Sequence, residues 1–374
     1  MPSRKAAVPV AVTGMGVLSA CGRGTSALAA AVGAGRPAFA PVTRFDVSGR
    51  RTAHAAHLPG SPRLAPELVG AIAEACEQAG LDRSAAADSV LLLALHSDPA
   101  TEPIAAEVAD GVARRCGLPG PERVYTGACV AASSAVADAA ALIASGAVDR
   151  VVVAAGYLVE PDTFAVFDAG RALARDGRSR PFSRDRTGLL LGDGVAAVVL
   201  ESAAAAGRRG GAELARLAGW GRAGDAHHVC RPIPDGSGLA RAIGSALGRA
   251  GIDPAQVGYV NANATGSALG DSAEAAALRT AFGPAVDRIP VSSTKAVHGH
   301  ALEASALLEF AVTVLTLRTE TLPVNAGYLG PAEDCRLDLV LGPRAAGTGP
   351  RRALTLNSAF GGANTALLLE GAAL

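Results

Sequence analysis

The chain has 374 residues, with 34 Lys plus Arg against 34 Asp plus Glu, so its formal net charge is zero. That balance argues against a nucleic-acid or other polyanion-binding surface, and no run is long and apolar enough to span a membrane. Hydrophobic residues make up 49% but aromatics only 3%, so Ala, Val and Leu must fill the core. Six cysteines without a CxxC pair suggest neither a zinc site nor a disulfide framework, and a reducing cytoplasm fits them best. The first residues, MPSRKAAVPVAVTGMG, lack the h-region and cleavage site of a signal peptide. The length suggests two domains or one duplicated unit.

In chain order, residues 8–12 form an apolar run of strand length, with Gly14 and Gly16 expected as the turn after it. Residues 26–32 read as a helix. The loop 36–59 carries His54 and His57, expected as solvated side chains. A helix over 66–79 stops at Gly80, and 90–95 is a buried strand. His96, Ser97 and Asp98 read as a strand-end turn and not a triad. A helix covers 102–116, a strand 123–125, a helix 130–145 and a strand 150–155. Residues 163–186 are charged and irregular, with six arginines expected to be solvated, to pair with acids such as Asp176 and Asp185, or to meet an acidic partner or phosphate. A strand follows over 195–201. GRRGG at 207–211 marks a junction, dividing the chain into halves 1–206 and 207–374.

The second half loosely repeats the first. Helices are expected over 238–250, 271–282 and 301–318, and strands near 212–219 and over 258–262, 289–292, 337–341, 352–356 and 365–370. Such alternation predicts an α/β fold with a mostly parallel sheet and helices on both faces.

One stretch organises the rest. Residues 124–134, VYTGACVAASS, carry a strand end into a small-residue turn and then a helix. Cys129 falls at that helix start, where free N–H groups and the positive dipole end favour a thiolate. This is how a nucleophilic cysteine is presented; the alternative is a buried thiol serving as a small core residue. The long helix after His300 holds the matching place in the second half. A pseudo-twofold would bring both helix starts to one crevice, although Cys129 and His300 are 171 positions apart.

Six blocks in order together resemble the β-ketoacyl synthase (condensing enzyme) family of the thiolase fold. They are VAVTGMGVLSACG, TGAC, SRPFSRDRTGLLLGDGVAAVVLES, YVNANATGSALGDSAEAAAL, VSSTKAVHGHALEASALLEF and LNSAFGGANTALLL. The resemblance implies a five-layer αβαβα architecture of two pseudo-duplicated halves. It also implies a homodimer or a pair with a related subunit. It implies no permanently bound cofactor or metal, and a substrate acyl thioester on the phosphopantetheine of an acyl carrier protein, or on CoA. On that basis Cys129 is the acylated nucleophile and His300, in a Lys-x-x-x-x-His pattern with Lys295, the active-site histidine. Lys295 and Glu309 are the charged pair behind the site, Phe360 is the gate, and Thr265 supports the asparagine block.

The sequence also departs from the family pattern. Asn263 stands where an Asn-Ala-His-Gly-Thr block would carry a second histidine. Decarboxylation of a malonyl thioester leaves an enolate, and losing one oxyanion donor commonly costs roughly 10²–10³ in rate. Asparagine keeps an N–H donor but no imidazole. His298 could reach into the site in its place, or be a loop histidine bonded to backbone. Glu303 replaces a small residue and is expected either to hold His300 in one tautomer or to face solvent. The turn 357–364 is one residue shorter than usual. Three functions remain open: acyl transfer without elongation, decarboxylating C–C bond formation with Asn263 as oxyanion donor, and a non-catalytic partner subunit of the chain-length-factor kind.

Overall fold

The structure is a computed structural model that describes residues 8–96, 102–345 and 351–372. The main elements of the first half are β1 (Val10–Ser19), α1 (Thr25–Ala34), α2 (Leu64–Gln78), β2 (Val90–Leu95), α3 (Glu102–Cys116), β3 (Arg123–Tyr125), α4 (Ala131–Ala144), β4 (Arg150–Tyr157), α5 (Pro161–Ala169), β5 (Gly194–Ser202) and α6 (Ala203–Arg208). Those of the second half are β6 (Ala215–Gly224), α7 (Ser237–Ala250), β7 (Tyr259–Asn261), α8 (Ala268–Phe282), β8 (Pro290–Ser292), α9 (Ser305–Thr319), β9 (Arg352–Ser358) and β10 (Ala363–Gly371).

Spatially the strands run β3-β2-β4-β5-β1 in the first half and β8-β7-β9-β10-β6 in the second. These are the same order, counted within each half. β1 and β6 pair over Val10–Val12 and Ala215–Leu217, which joins the halves into one continuous sheet. Both halves are mixed and not mostly parallel. β2 pairs parallel with β3 and β4, but β5 runs antiparallel to both β4 and β1. β9 and β10 form an antiparallel hairpin. Residue periodicity reports burial and not strand direction, which the connections decide.

Three apolar cores hold five layers together, the central one spanning both faces of the middle helical layer. Along β4 and β5, Val151, Val153, Ala196, Val198 and Leu200 point to a central core, and Val152, Ala154, Val195, Ala197 and Val199 to an outer one. The second outer core takes Leu354, Leu356, Ala366 and Leu368 with α7 and α8. Strands buried on both faces read as continuous apolar runs. α4 and α9 lie in the central layer and are buried nearly all round, as a core helix must be. Alanine fills this layer, as the lack of aromatics requires.

Several expectations change. β1 does not stop at Val12. It continues through Gly14 and Gly16 to Ser19 with a bulge between Val12 and Gly14. The reason is close approach: a Cβ at Gly16 would lie 2.1 Å from the carbonyl oxygen of Ala71 in α2, and one at Gly221 in β6 would lie 1.9 Å from that of Ala242 in α7. The charged segment holds a nine-residue helix, α5, begun by Pro161 at a first-turn position where no N–H is needed. His57 is not free in solvent, because its ring nitrogens meet the carbonyls of Leu58 and Pro41. His54 lies in a two-residue strand. Arg180 pairs with Asp176, while Arg186 reaches Asp334 at 2.5 Å and Asp271 at 3.8 Å. Ser97 and Asp98 lie outside the described residues. No helix of the described residues is long and apolar enough to cross a membrane.

Candidate active site

The cysteine turn is built by an unusual backbone. Ala128 sits at φ 52, in the left-handed region that an L-residue enters only at a cost. This swings the chain from the end of β3 into a single 3₁₀ turn, Ala128–Val130, that runs directly into α4. Cys129 is thus at the helix start, as expected, and 7% exposed. The dipole does not decide its protonation. Burial pushes the Cys129 thiol up to about 12, the charge of Glu303 pushes the same way, and Lys295 only partly offsets them. The resting group is a thiol and not the thiolate expected from the helix terminus alone.

His300 meets it directly, with Nε2 3.1 Å from Cys129 Sγ. The histidine is pinned from the other half: its N–H donates to Leu190 O at 2.8 Å and its carbonyl accepts from Gly192 N–H at 2.9 Å. The LLLGDG stretch therefore serves as a clamp on the histidine loop. Burial, and then the charge of Lys295, hold His300 well below the ordinary imidazole range, so it is neutral. Its Nδ1 lies 2.8 Å from Ser305 Oγ, which also accepts the Ala301 N–H at 2.8 Å. Nδ1 is the only acceptor that the Ser305 hydroxyl meets among the described residues, so donating there satisfies its buried proton. The network thereby assigns the Nε2–H tautomer and turns a donor toward the sulfur.

Behind this pair, Lys295 Nζ lies 2.5 Å from Glu309 Oε1, with both side chains almost fully buried. Glu309 Oε2 accepts from Asn357 Nδ2 at 2.6 Å. Lys295 also donates to Asn263 Oδ1 at 3.2 Å, which fixes which end of the amide faces the lysine. The backbone N–H of Asn263 is held by Glu274 Oε1 at 2.8 Å. Asp271 at the start of α8 accepts the N–H groups of Thr265, Gly266 and Phe182, and so shapes the turn after β7.

The structure thus joins Cys129 to His300, and Lys295 to both Glu309 and Asn263. The other expected residues lie differently. The Thr265 hydroxyl turns to Ser267 Oγ at 3.3 Å, inside its own turn. His298 is wholly buried, with Nε2 3.0 Å from Thr294 Oγ1 and Nδ1 2.8 Å from Gly299 O. It is the loop histidine of the two alternatives and does not stand in for a second site imidazole. Burial lowers it to about 3, so it is uncharged. Phe360 is 54% exposed and stacks on Phe167 of α5, with centroids 6.1 Å apart.

One residue was not anticipated, and another departs from its expectation. Ser305 orients His300; the one sequence signal was a serine near the start of a long apolar helix. Glu303 does not face solvent, and its hydrogen bond goes to His96 and not to His300. It is 2% exposed and its Oε1 lies 3.1 Å from His96 Nδ1. Among the described residues, no group of three or more His, Cys, Asp or Glu is placed to hold a metal ion.

Two repeated α/β halves around a shared central helical layer, with a cysteine at the start of one inner helix and a histidine just ahead of the other, make this a thiolase-like fold. Comparison with known proteins agrees. Residues 68–206 match the family model "Beta-ketoacyl synthase, N-terminal domain", and residues 214–328 match "Beta-ketoacyl synthase, C-terminal domain". The chain is 32% identical to a putative polyketide β-ketoacyl synthase 1 of Streptomyces cyaneus, covering 97% of this chain and 98% of that one. It is 30% identical to the 3-oxoacyl-[acyl-carrier-protein] synthase 2 of Coxiella burnetii, covering 96% and 98%. Among solved structures, the ishigamide ketosynthase/chain length factor superposes with TM-score 0.91 at 28% identity over 98% of this chain and 100% of that one. A β-ketoacyl synthase from Burkholderia phymatum does so with TM-score 0.88 at 28% identity over the same shares. The chain belongs to the β-ketoacyl synthase family, whose members are transferases of fatty-acid and polyketide synthesis.

Proposed function

We propose that this protein is an acyltransferase of the ketosynthase type. Cys129 takes an acyl group from a carrier-protein or CoA thioester and passes it to a second nucleophile, with decarboxylation impaired at Asn263. The observation that carries the proposal is the 3.1 Å approach of His300 Nε2 to Cys129 Sγ. In the first half-reaction Sγ bonds to the thioester carbon and the bond to the carrier sulfur breaks. The thiol proton ends on the departing carrier thiol, and the Nε2–H of His300 supports the sulfur as it loses its proton. The backbone N–H groups of Cys129 and Phe360 serve as donors to the tetrahedral oxyanion. Phe360 gates the entrance from the surface. A nucleophile that has no use in a non-catalytic subunit, held in bonding contact with a histidine, weighs against the chain-length-factor reading.

A decarboxylating synthase is the second reading, and one contact favours it. Lys295 occupies Asn263 Oδ1, which leaves the Asn263 NH₂ to donate to an enolate. The first reading is preferred because an amide cannot accept a proton as imidazole does. An acyl carrier protein is the expected donor partner, as the name of the Coxiella relative suggests. The chain acts as a homodimer or beside a related subunit, as in the ishigamide pair, with halves divided at 206/207.

Incubation with acyl-carrier-protein or CoA thioesters, followed by intact-protein mass spectrometry, tests this. One acyl mass should appear and Cys129→Ala should abolish it. No adduct with any thioester would overturn acyl transfer. Fast CO₂ release from malonyl-carrier protein would move the assignment to the decarboxylating synthase.

A further inference from the structure

We propose that Glu303 selects the acyl group: the site favours an acyl thioester that carries a hydroxyl or ammonium group near its carbonyl over a plain alkyl chain of the same size. The inference rests on the acyl-transfer reading above and names its substrate class.

Glu303 belongs to the 3₁₀ turn Leu302–Ala304, between His300 and α9. That turn packs against the turn carrying Cys129 and against β2 and β4. The side chain is 97% buried, since its relative exposure is 3%. Its Oε1 is engaged by His96, whose ring stands edge-on to the buried Tyr157, centroids 5.9 Å apart. Its Oε2 has no hydrogen-bond partner among the described residues. The carboxylate is close enough to Cys129 for its charge to be the largest influence on the thiol after burial.

A buried carboxylate oxygen without a donor is costly, and in a native structure it calls for an explanation. On the acyl-transfer reading, an acyl group on Cys129 would lie beside it, because the turns that carry the two residues pack together. A methylene chain would seal the oxygen in a dry site with its lone pairs unmet. An O–H or N–H donor on the acyl group would satisfy it. A site built to pair with a donor rejects analogues lacking that donor far more strongly than an apolar pocket rejects a missing methylene. An ammonium group would also neutralise a negative charge that raises the nucleophile, making Cys129 easier to ionise as substrate binds.

The test compares butanoyl-, 3-hydroxybutanoyl- and 3-aminobutanoyl-pantetheine as donors, following acylation of Cys129 by intact-protein mass spectrometry. The unaltered protein should load a donor-bearing acyl group at least tenfold faster than butanoyl. The faster of the hydroxyl and ammonium arms identifies the group recognised. Glu303→Ala should bring the ratio to within about twofold, and the near-isosteric Glu303→Gln should cut the ammonium advantage most. Butanoyl loading as fast as both other arms in the unaltered protein overturns the inference while leaving acyl transfer standing, and so does a tenfold preference that survives in Glu303→Ala. No loading from any of the three or from carrier-protein thioesters defeats the acyl-transfer reading itself.

Discussion

Lys295 Nζ donates to Asn263 Oδ1 across 3.2 Å. That contact orients the amide: with Oδ1 held, Nδ2 is the end left to donate elsewhere. An imidazole at this position could donate and also hold a proton. Asn263→His should therefore raise CO₂ release from malonyl-carrier protein by about 10²–10⁴, the usual worth of a positioned acid–base group. Asn263→Ala should not raise it. Equal release from both variants and the unaltered protein would show that residue 263 plays no part in decarboxylation.

The same lysine makes a buried ion pair with Glu309, Nζ to Oε1 at 2.5 Å. Removing one member leaves a charge without its partner in a dry interior, which typically costs about 3–5 kcal/mol. Glu309→Ala should lose stability on that scale in denaturant unfolding. A loss below about 1 kcal/mol would mean that the lysine finds water or another acceptor when the carboxylate is gone.

Ser305→Ala removes the hydroxyl that donates to His300 Nδ1 at 2.8 Å. The imidazole is then free to take the other tautomer, which presents a lone pair to the sulfur. Acyl loading should fall about ten- to a hundredfold, by loss of an oriented donor, with little change in the melting temperature. Unchanged loading would remove the tautomer assignment from the mechanism.

Burial raises the Cys129 thiol to about 12. Below that value the thiolate fraction grows tenfold per pH unit. Alkylation of Cys129 by iodoacetamide should therefore climb about tenfold per unit from pH 7 to pH 10 without levelling. An unperturbed thiol near 8.5 would level by then. Cys129→Ala supplies the correction for exposed Cys230. A plateau near pH 7 would show that the helix terminus wins over burial after all.

Gly16→Ala would set a methyl group 2.1 Å from Ala71 O on the backbone of α2. A backbone carbonyl cannot rotate aside, so strand and helix must separate. Overpacking of this kind costs about 1–3 kcal/mol, read as a lower midpoint in urea.

Local signals located much of this protein in its sequence. The bounds of β2, α3 and β3 follow from apolar runs and stop residues, because those depend on near neighbours. Six blocks in order led to the family, and the placing of Cys129 and His300 ahead of comparable helices led to their meeting. Gly14 and Gly16 were misplaced in a turn, because a glycine that admits a neighbouring helix looks the same as one that bends the chain. The irregular reading of the charged segment also hid α5.

Sequence alone settled the fold class and singled out Cys129 and His300 as the proposed nucleophile and its histidine, because chemistry and local periodicity travel with residue type. Tertiary structure alone decided that Cys129 rests as a thiol, that Ser305 chooses the tautomer of His300, that His298 turns into its own loop and that Glu303 is buried against His96. Each of these depends on how much water is excluded and which partner arrives from elsewhere in the chain. Desolvation and long-range contact are properties of the packed layers, and no local stretch of residues carries them.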